Sequence, residues 1–466
     1  MKEKKMVALA VGKKRELGAL SSMLAKTVGF VSLVAILASC GTSPGYSYTV
    51  GGMVSGLAGS GLVLQNNAGD DRSISANGAF SFPTPVFDAA AYTITVKTQP
   101  TTPSQICTVN NSTGIVNGGT VSDVVVSCVT GSASIAFSSS GAGEFAYVAK
   151  TNGTISDGTI SAYSINSNGT FGSLISSVPA GKFPASITVI GGFAYVANMS
   201  DNTISAYRIN NPTDGTLQLL GTVTAGKYPT SVTVDPSGKF AYVANMGDNT
   251  ISAYTISTTD GTLAAIGSPV STGTSPVSIV TVSVGLLGEF AYVANMSDGS
   301  IWTYSINLTT GILQPLGEIT AGMSPTSVTV DPSGKFAYVT NEGDNTISAY
   351  TIDPTYGTLV PSTVTPTVTA GTNPTSIVTV SVGTSVFAYA TNTNACTISA
   401  YSIGTDGSLN ELTTIGSPFS TGTGTYPTSI TVDGQFAYVV NTGDGSIWAY
   451  PINQSTGALG TPFKVL

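Results

Sequence analysis

The chain has 466 residues, 41% of them hydrophobic and only 9% charged, with a formal net charge of −8, 54 glycines and no histidine. This composition excludes a disordered or coiled-coil protein and favours an all-β one, while the length asks for several domains or one repeat array. With no histidine and no Cys-x-x-Cys pair, zinc and haem have little to bind, so no metal and no cofactor is expected.

The first forty residues follow different rules. Lys2, Lys4, Lys5, Lys13, Lys14, Arg15 and Lys26 form a basic segment, and the uncharged run TVGFVSLVAIL (27–37) follows. Such a run is too short to span a bilayer core as a helix but suits the hydrophobic region of a signal peptide. It ends in LASCG (37–41), which resembles the bacterial lipobox. The resemblance implies cleavage before Cys40 and lipidation of that residue. Residues 1–39 then form a lipoprotein signal peptide and 40–46 a lipidated linker. Gly41 lacks the aspartate that, by resemblance to bacterial sorting signals, marks inner-membrane retention, so an outer-membrane anchor is expected. Cleavage removes seven cations and two acids, leaving 9 Lys+Arg against 22 Asp+Glu and a charge of −13. An acidic surface of this kind argues against nucleic acid, anionic lipid headgroups and phosphorylated partners.

Residues 47–129 read as short strands. YTVGGMV, GLVLQN, GAFSF, AYTITVKT, QICTVN and VSDVVVSC alternate apolar with polar residues between Gly, Asn, Asp and Pro turns. An immunoglobulin-like β-sandwich is the expectation, serving as a spacer from the membrane. Cys107 and Cys128 lie near the two ends of its last section, where a disulfide is permitted outside the cytoplasm and would stabilise by roughly 3 kcal/mol. The stretch NNAGDD (66–71) reads as a turn rather than a calcium loop. Cys396 is left over as an unpaired thiol.

From residue 131 the chain repeats. The segment Phe-Ala-Tyr occurs with its tyrosine at 147, 195, 242, 292, 338, 389 and 438, at intervals of 46 to 51 residues. The third copy shows the unit. PTSVTV (229–234) leads through the turn DPSGK into FAYVAN (240–245), then through MGDNT into ISAYTI (251–256), and TTDGTL leads to a weaker strand near 263–268. One four-stranded unit cannot bury both faces, so neighbours must stack radially, aromatic rows of one blade on the Ala and Val rows of the next. The fold class is therefore all-β: a seven-bladed β-propeller over 131–466, preceded by the small sandwich. Blade 1 begins with its own first strand at ASIAFS (133–138) and blade 7 ends with its own fourth, so no strand is exchanged between the chain ends.

FAYVTN (336–341) with its variants, the TISAY strand and the PTSVTVDPSGK lead-in resemble YVTN-type propeller repeats. More broadly they resemble the lactonase-like seven-bladed propellers, the superfamily of bacterial 6-phosphogluconolactonase and fungal muconate-lactonising enzymes. The resemblance implies a catalytic site of His, Arg and Glu at one mouth of the ring. This chain has no His, and the propeller's single arginine, Arg208, falls in a third strand where a solvated surface role is expected. No position receives the family's catalytic residues.

Two kinds of candidate remain. Asp201, Asp248, Asp298, Asp344 and Asp444 recur in the turn after the second strand, with Ala395 in blade 6, and Asn198, Asn245, Asn295, Asn341, Asn392 and Asn441 end that strand. They read either as a ring of ligand-facing oxygens or, as recurrence favours, as turn caps. Departures from the repeat are more informative: Lys182 and Lys227 in AGKFP and AGKYP where other copies have Met323 or Asn373, Glu342 where other turns have Met, and Trp302 and Trp448 for Ser. Missing acid and base groups favour a monomeric, lipid-tethered envelope protein whose propeller presents loops to a protein or glycan without catalysis. The competing expectation is a periplasmic lactonase-like hydrolase working with carboxylates.

Overall fold

The computed structural model describes residues 46–466 apart from 58, 101–104, 131–132, 141–142, 152–157, 211–213 and 286–287. The signal-peptide stretch and Cys40 lie outside the described residues. Within them the chain is all-β, with one short 3-10 turn at Thr413–Ile415.

Beside a two-stranded pair, Ser47–Tyr48 with Val86–Phe87, the small domain is built from two four-stranded sheets. One has the order Gly78–Ser81, Val50–Ser55, Val121–Thr130, Gln105–Asn110, and the other Asp70–Ile74, Leu62–Asn66, Ala91–Thr98, Thr113–Ile115. Val121–Thr130 runs parallel to Val50–Ser55 and antiparallel to Gln105–Asn110, a register that places Cys128 opposite Cys107, and the two are joined by a disulfide. Val50, Val54, Leu62, Leu64, Ile94, Val124 and Val126 fill one core between the sheets. The segment 66–71 forms the hairpin turn expected, with Asp71 paired to Lys97.

Seven successive sheets of four antiparallel strands follow in chain order, the last being Pro427–Val432, Phe436–Asn441, Ser446–Pro451 and Phe463–Lys464. The ring closes without strand exchange, by side-chain packing of Phe137, Tyr163 and Phe171 of blade 1 against Tyr438 and Phe436 of blade 7. Blade 3 shows why these residues fold this way. Asp235 accepts hydrogen bonds from Ser237 N and Phe240 N and so fixes the first turn, while Gly238 supplies its positive φ of 73°. All six residues of Phe240–Asn245 are buried, because both faces of this central strand meet a neighbouring blade. In blades 3, 5 and 6 the fourth strand is split in two, as at Leu263–Ala265 and Val270–Ser271. Pro269, Pro366 and Pro418 stand at these breaks and cannot donate to the ladder.

The contact between blades is the same at six of the seven interfaces; Tyr147 of blade 1 has a buried hydroxyl without a partner instead. Tyr242 of blade 3 donates from its hydroxyl to the carbonyl of Gly311 in the last turn of blade 4, at 2.9 Å, and the Phe240 ring lies on that glycine. Tyr195 to Gly261, Tyr292 to Gly357, Tyr338 to Gly407, Tyr389 to Gly457 and, across the closure, Tyr438 to Gly169 repeat the link. Gly311 has φ 71°, and a Cβ there would stand 2.3 Å from the Phe240 ring. Only glycine satisfies both demands.

Tyr242→Phe leaves the Gly311 carbonyl buried and unpaired, and is expected to lower unfolding free energy by about 1–2 kcal/mol in urea titrations. Gly311→Ala should cost more than Tyr242→Phe. Tyr450→Phe, which removes a buried hydroxyl that has no partner, should be neutral or stabilising; equal losses in Tyr242→Phe and Tyr450→Phe would contradict the assignment.

Candidate functional site

The inner strands surround an axial cavity of about 210 Å³. Its wall is made of the segments that open each blade, PTS in blades 3, 5, 6 and 7; each is the edge strand of its sheet, so backbone N–H groups on its open side lack a ladder partner. Serine from the preceding blade supplies the acceptor: Val232 N donates to Ser186 Oγ, Ile279 N to Ser231, Val328 N to Ser278 and Ile377 N to Ser327, at 3.2 to 3.4 Å. A lone pair on each Oγ is used in this way, which leaves the O–H free to donate into the cavity. Thr428 adds a buried hydroxyl with no partner. The wall thus suits water and oxygen-rich ligands.

Gly56 and Cys128 of the small domain also line this cavity, so that domain covers part of one mouth. It is held by Ser127 Oγ, within 2.9 Å of Ser275 Oγ and 2.6 Å of Ser297 Oγ, and by Asn110, whose amide donates to Ser275. Between the small domain and blades 4 and 5 a second cavity of about 730 Å³ opens outward. The two cavities share Gly56, Met296, Glu342 and Asn373.

Glu342 stands where they meet. It is 8% exposed, and its Oε1 accepts a 2.7 Å hydrogen bond from Asn373 Nδ2, whose own Oδ1 accepts from Asn394 Nδ2 at 2.6 Å. Burial pushes its carboxyl above the usual glutamate range, against the opposing pull of the Asn373 amide. A carboxyl of raised pKa in a cavity wall is the arrangement that general acid–base chemistry uses.

The recurring Asn and Asp do other work. Asn198 and Asn245 are fully buried: each accepts from a backbone N–H of the loop leading into the blade, Gly181 and Gly226, and donates to two hydroxyls of the third strand. A Cβ on Gly226 would lie 2.7 Å from the Asn245 amide carbon. Asp201, Asp248, Asp298 and Asp344 accept the backbone N–H of Lys182, Lys227, Thr274 and Met323, and Asp444 caps its own turn through Ser446. These oxygens close turns; Asp298 and Asp344 also line the second cavity. Lys182 and Lys227 are exposed and line neither of the two joined cavities; Lys227 lies beside the small domain instead. Arg208 is not simply solvated: its guanidinium lies 5.9 Å from the Phe193 ring centre and reaches the Asp260 carbonyl. Trp302 and Trp448 are half-buried on third strands. Cys396 is a free, half-buried thiol in the left-handed position that Asn202, Asn249 and Asn345 hold in other blades. Burial pushes it up, but the backbone N–H groups of Tyr426, Gly424 and Thr425 prevail and lower it. A second buried acid, Glu289, is raised by burial and by Asp235, away from both cavities. Among the described residues no group of three or more Cys, Asp or Glu is arranged to hold a metal.

Glu342 had been visible in the sequence as a departure from the repeat. Asn373 and Asn394 had not, because their value lies in a contact between blades 5 and 6. The small domain's place over the mouth carries no sequence signal at all.

Comparison with known proteins adds the family. The profile of the lactonase family of seven-bladed β-propellers matches residues 130–281, 281–367 and 361–466. No curated protein matches the chain. Among solved structures, a putative 6-phosphogluconolactonase from Bacteroides fragilis is similar at 22% identity and a TM-score of 0.57, covering 70% of this chain and 97% of its own. The periplasmic gluconolactonase PpgL of Pseudomonas aeruginosa is similar at 17% identity and a TM-score of 0.57, covering 68% and 94%. At these identities the likeness is one of fold.

A glutamate whose folded pKa is raised lends its full stability below the unfolded value of about 4.3, and that stability is lost as pH rises through the folded pKa. Glu342→Gln should therefore match wild type in melting temperature near pH 4 and exceed it at pH 7 to 8. A variant that melts below wild type at neutral pH would contradict the burial cost. Asp248→Ala, by contrast, should lose about 1 kcal/mol in urea titrations by uncapping the Lys227 N–H.

Proposed function

Because the chain belongs to the lactonase family of seven-bladed β-propellers, we propose that it hydrolyses a neutral lactone at the channel mouth, with Glu342 as general base. The observation that carries this reading is the buried Glu342 carboxyl, held by Asn373 at the junction of two cavities. In the ionised state Glu342 takes a proton from water as the water oxygen bonds to the lactone carbonyl carbon. The ring C–O bond then breaks, and the proton passes from the carboxyl to the departing ring oxygen, giving the hydroxy acid. Hydroxyls of the axial wall can donate to the carbonyl oxygen as it gains charge. Among the described residues no Lys or Arg lines either cavity. A phosphorylated lactone would find no described cation there, which separates this site from that of the putative 6-phosphogluconolactonase of Bacteroides fragilis.

A second reading keeps its place for one reason. The small domain lies over the mouth and narrows it, as suits a propeller that presents its loops to a protein or glycan without turnover. In either case we propose that Cys40 tethers the protein to the outer membrane of the cell envelope.

The test is hydrolysis of a panel of neutral lactones by the full mature chain, with divalent ions and with chelator. Wild type should turn over at least one lactone, with a rate that rises with pH through a midpoint above the usual glutamate value of about 4.3. Glu342→Gln should lower that rate by at least about 100-fold. A folded wild type without activity, or an equally active Glu342→Gln, would give the field to the scaffold reading.

A further inference from the structure

The axial cavity, at about 210 Å³, is enough for a small lactone ring, which leaves the larger cleft beside it without a purpose. That cleft, of about 730 Å³, lies within the range of ligand pockets. Met53 and Val125 of the small domain face Met296 and Met323 of the propeller across it, and Gly299, Gly322 and Gly343 line its propeller side. Met53 is 49% and Met323 62% exposed. Two long apolar side chains held in water on facing walls of one cleft are poorly explained by folding, and unbranched thioethers adapt to unbranched chains. The acids at its rim, Asp298 and Asp344, are engaged with backbone N–H groups, and among the described residues no cation lines it to attract an anion. The cleft ends at Glu342, Met296 and Asn373, the residues it shares with the axial cavity.

We propose that this cleft binds the unbranched aliphatic chain of a lactone substrate, with Met53, Met296, Met323 and Val125 as its walls and the lactone ring delivered to Glu342. The substrate class is thus an alkyl- or acyl-substituted neutral lactone rather than a sugar lactone. This rests on the lactone-hydrolase reading of the same site. The small domain then acts as one wall of the substrate site, and chain length becomes the determinant of specificity.

Binding is measured by calorimetry on the full mature chain, using lactams in place of the lactones, with unbranched acyl chains of four to twelve carbons. Affinity should rise roughly threefold to fourfold per methylene until the cleft is filled. Met323→Asp and Met53→Asp should each weaken the long-chain lactams by about tenfold or more, while Leu174→Asp, the same change at an exposed leucine on the outer strand of blade 1, should not. All three sites are exposed, so the variants should fold as wild type does. An affinity independent of chain length, or a chain-length gain that survives both methionine substitutions, would overturn the proposal. Binding is read without turnover: chain-dependent binding with no lactone hydrolysis would sink the hydrolase reading alone, and hydrolysis with a flat chain series would sink the cleft alone.

Discussion

A tyrosine hydroxyl reaching across to a glycine carbonyl in the next blade is the interaction on which the rest of this propeller depends. The glycine must have a left-handed backbone, and it must lack a side chain because a phenylalanine ring covers it. The phenylalanine and tyrosine come from alternate positions of the same central strand, so one face of that strand makes the whole contact. A blade cut from the ring would expose both its aromatic face and its turn. Stability therefore resides in the interfaces, and the ring is complete only when Tyr438 meets Gly169 of blade 1. Burial keeps these hydroxyls in the donor form: Tyr207, which makes a similar link back to Pro179 of the preceding blade, is pushed up to about 12.

That economy of repeated contacts leaves little polar chemistry for function. Asparagine at the end of the second strand in blades 2 to 7, aspartate in most of the turns that follow and serine on the axis satisfy backbone groups that tight turns and open strand edges leave unpaired. A residue that recurs in every blade is explained by what every blade requires. Chemistry must then come from positions that break the rule, and Glu342 is one: where blades 2 to 4 have the buried Met199, Met246 and Met296, a carboxyl in blade 5 inherits the same burial without the apolar character.

The repeat was legible in the sequence because its determinants are local: a strand alternation, an Asp-Pro turn, a glycine three residues later. Blade number, ring closure without strand exchange and the stacking of aromatic on aliphatic rows follow from those patterns. Strand Asp70–Ile74 escaped notice because DDRSI carries almost no apolar alternation, being an edge strand that exposes nearly every side chain. The proline-split fourth strands of blades 3, 5 and 6 were visible only as weakness. The candidate site was half legible. Glu342 could be read as an exception, whereas its junction with Asn373, Met296 and Gly56 joins parts of the chain hundreds of residues apart, and no local pattern reports a meeting of that kind.

The placement of the small domain decides what a mouth without cations can do. Open to solvent, a lone glutamate in a ring of hydroxyls would be ionised at an ordinary pH and would attract water more readily than any neutral ligand. Buried at the junction of the two cavities, it is desolvated and its carboxyl holds its proton longer, while the outer cleft has methionine on both walls. On the proposed reading, the binding energy that positions a neutral ligand has to come from apolar burial, since among the described residues no Lys or Arg lines the cleft. On the lactone-hydrolase proposal, the domain that precedes the propeller supplies one wall of that apolar cleft, so the propeller alone would present the carboxyl without the cleft proposed to hold a substrate against it.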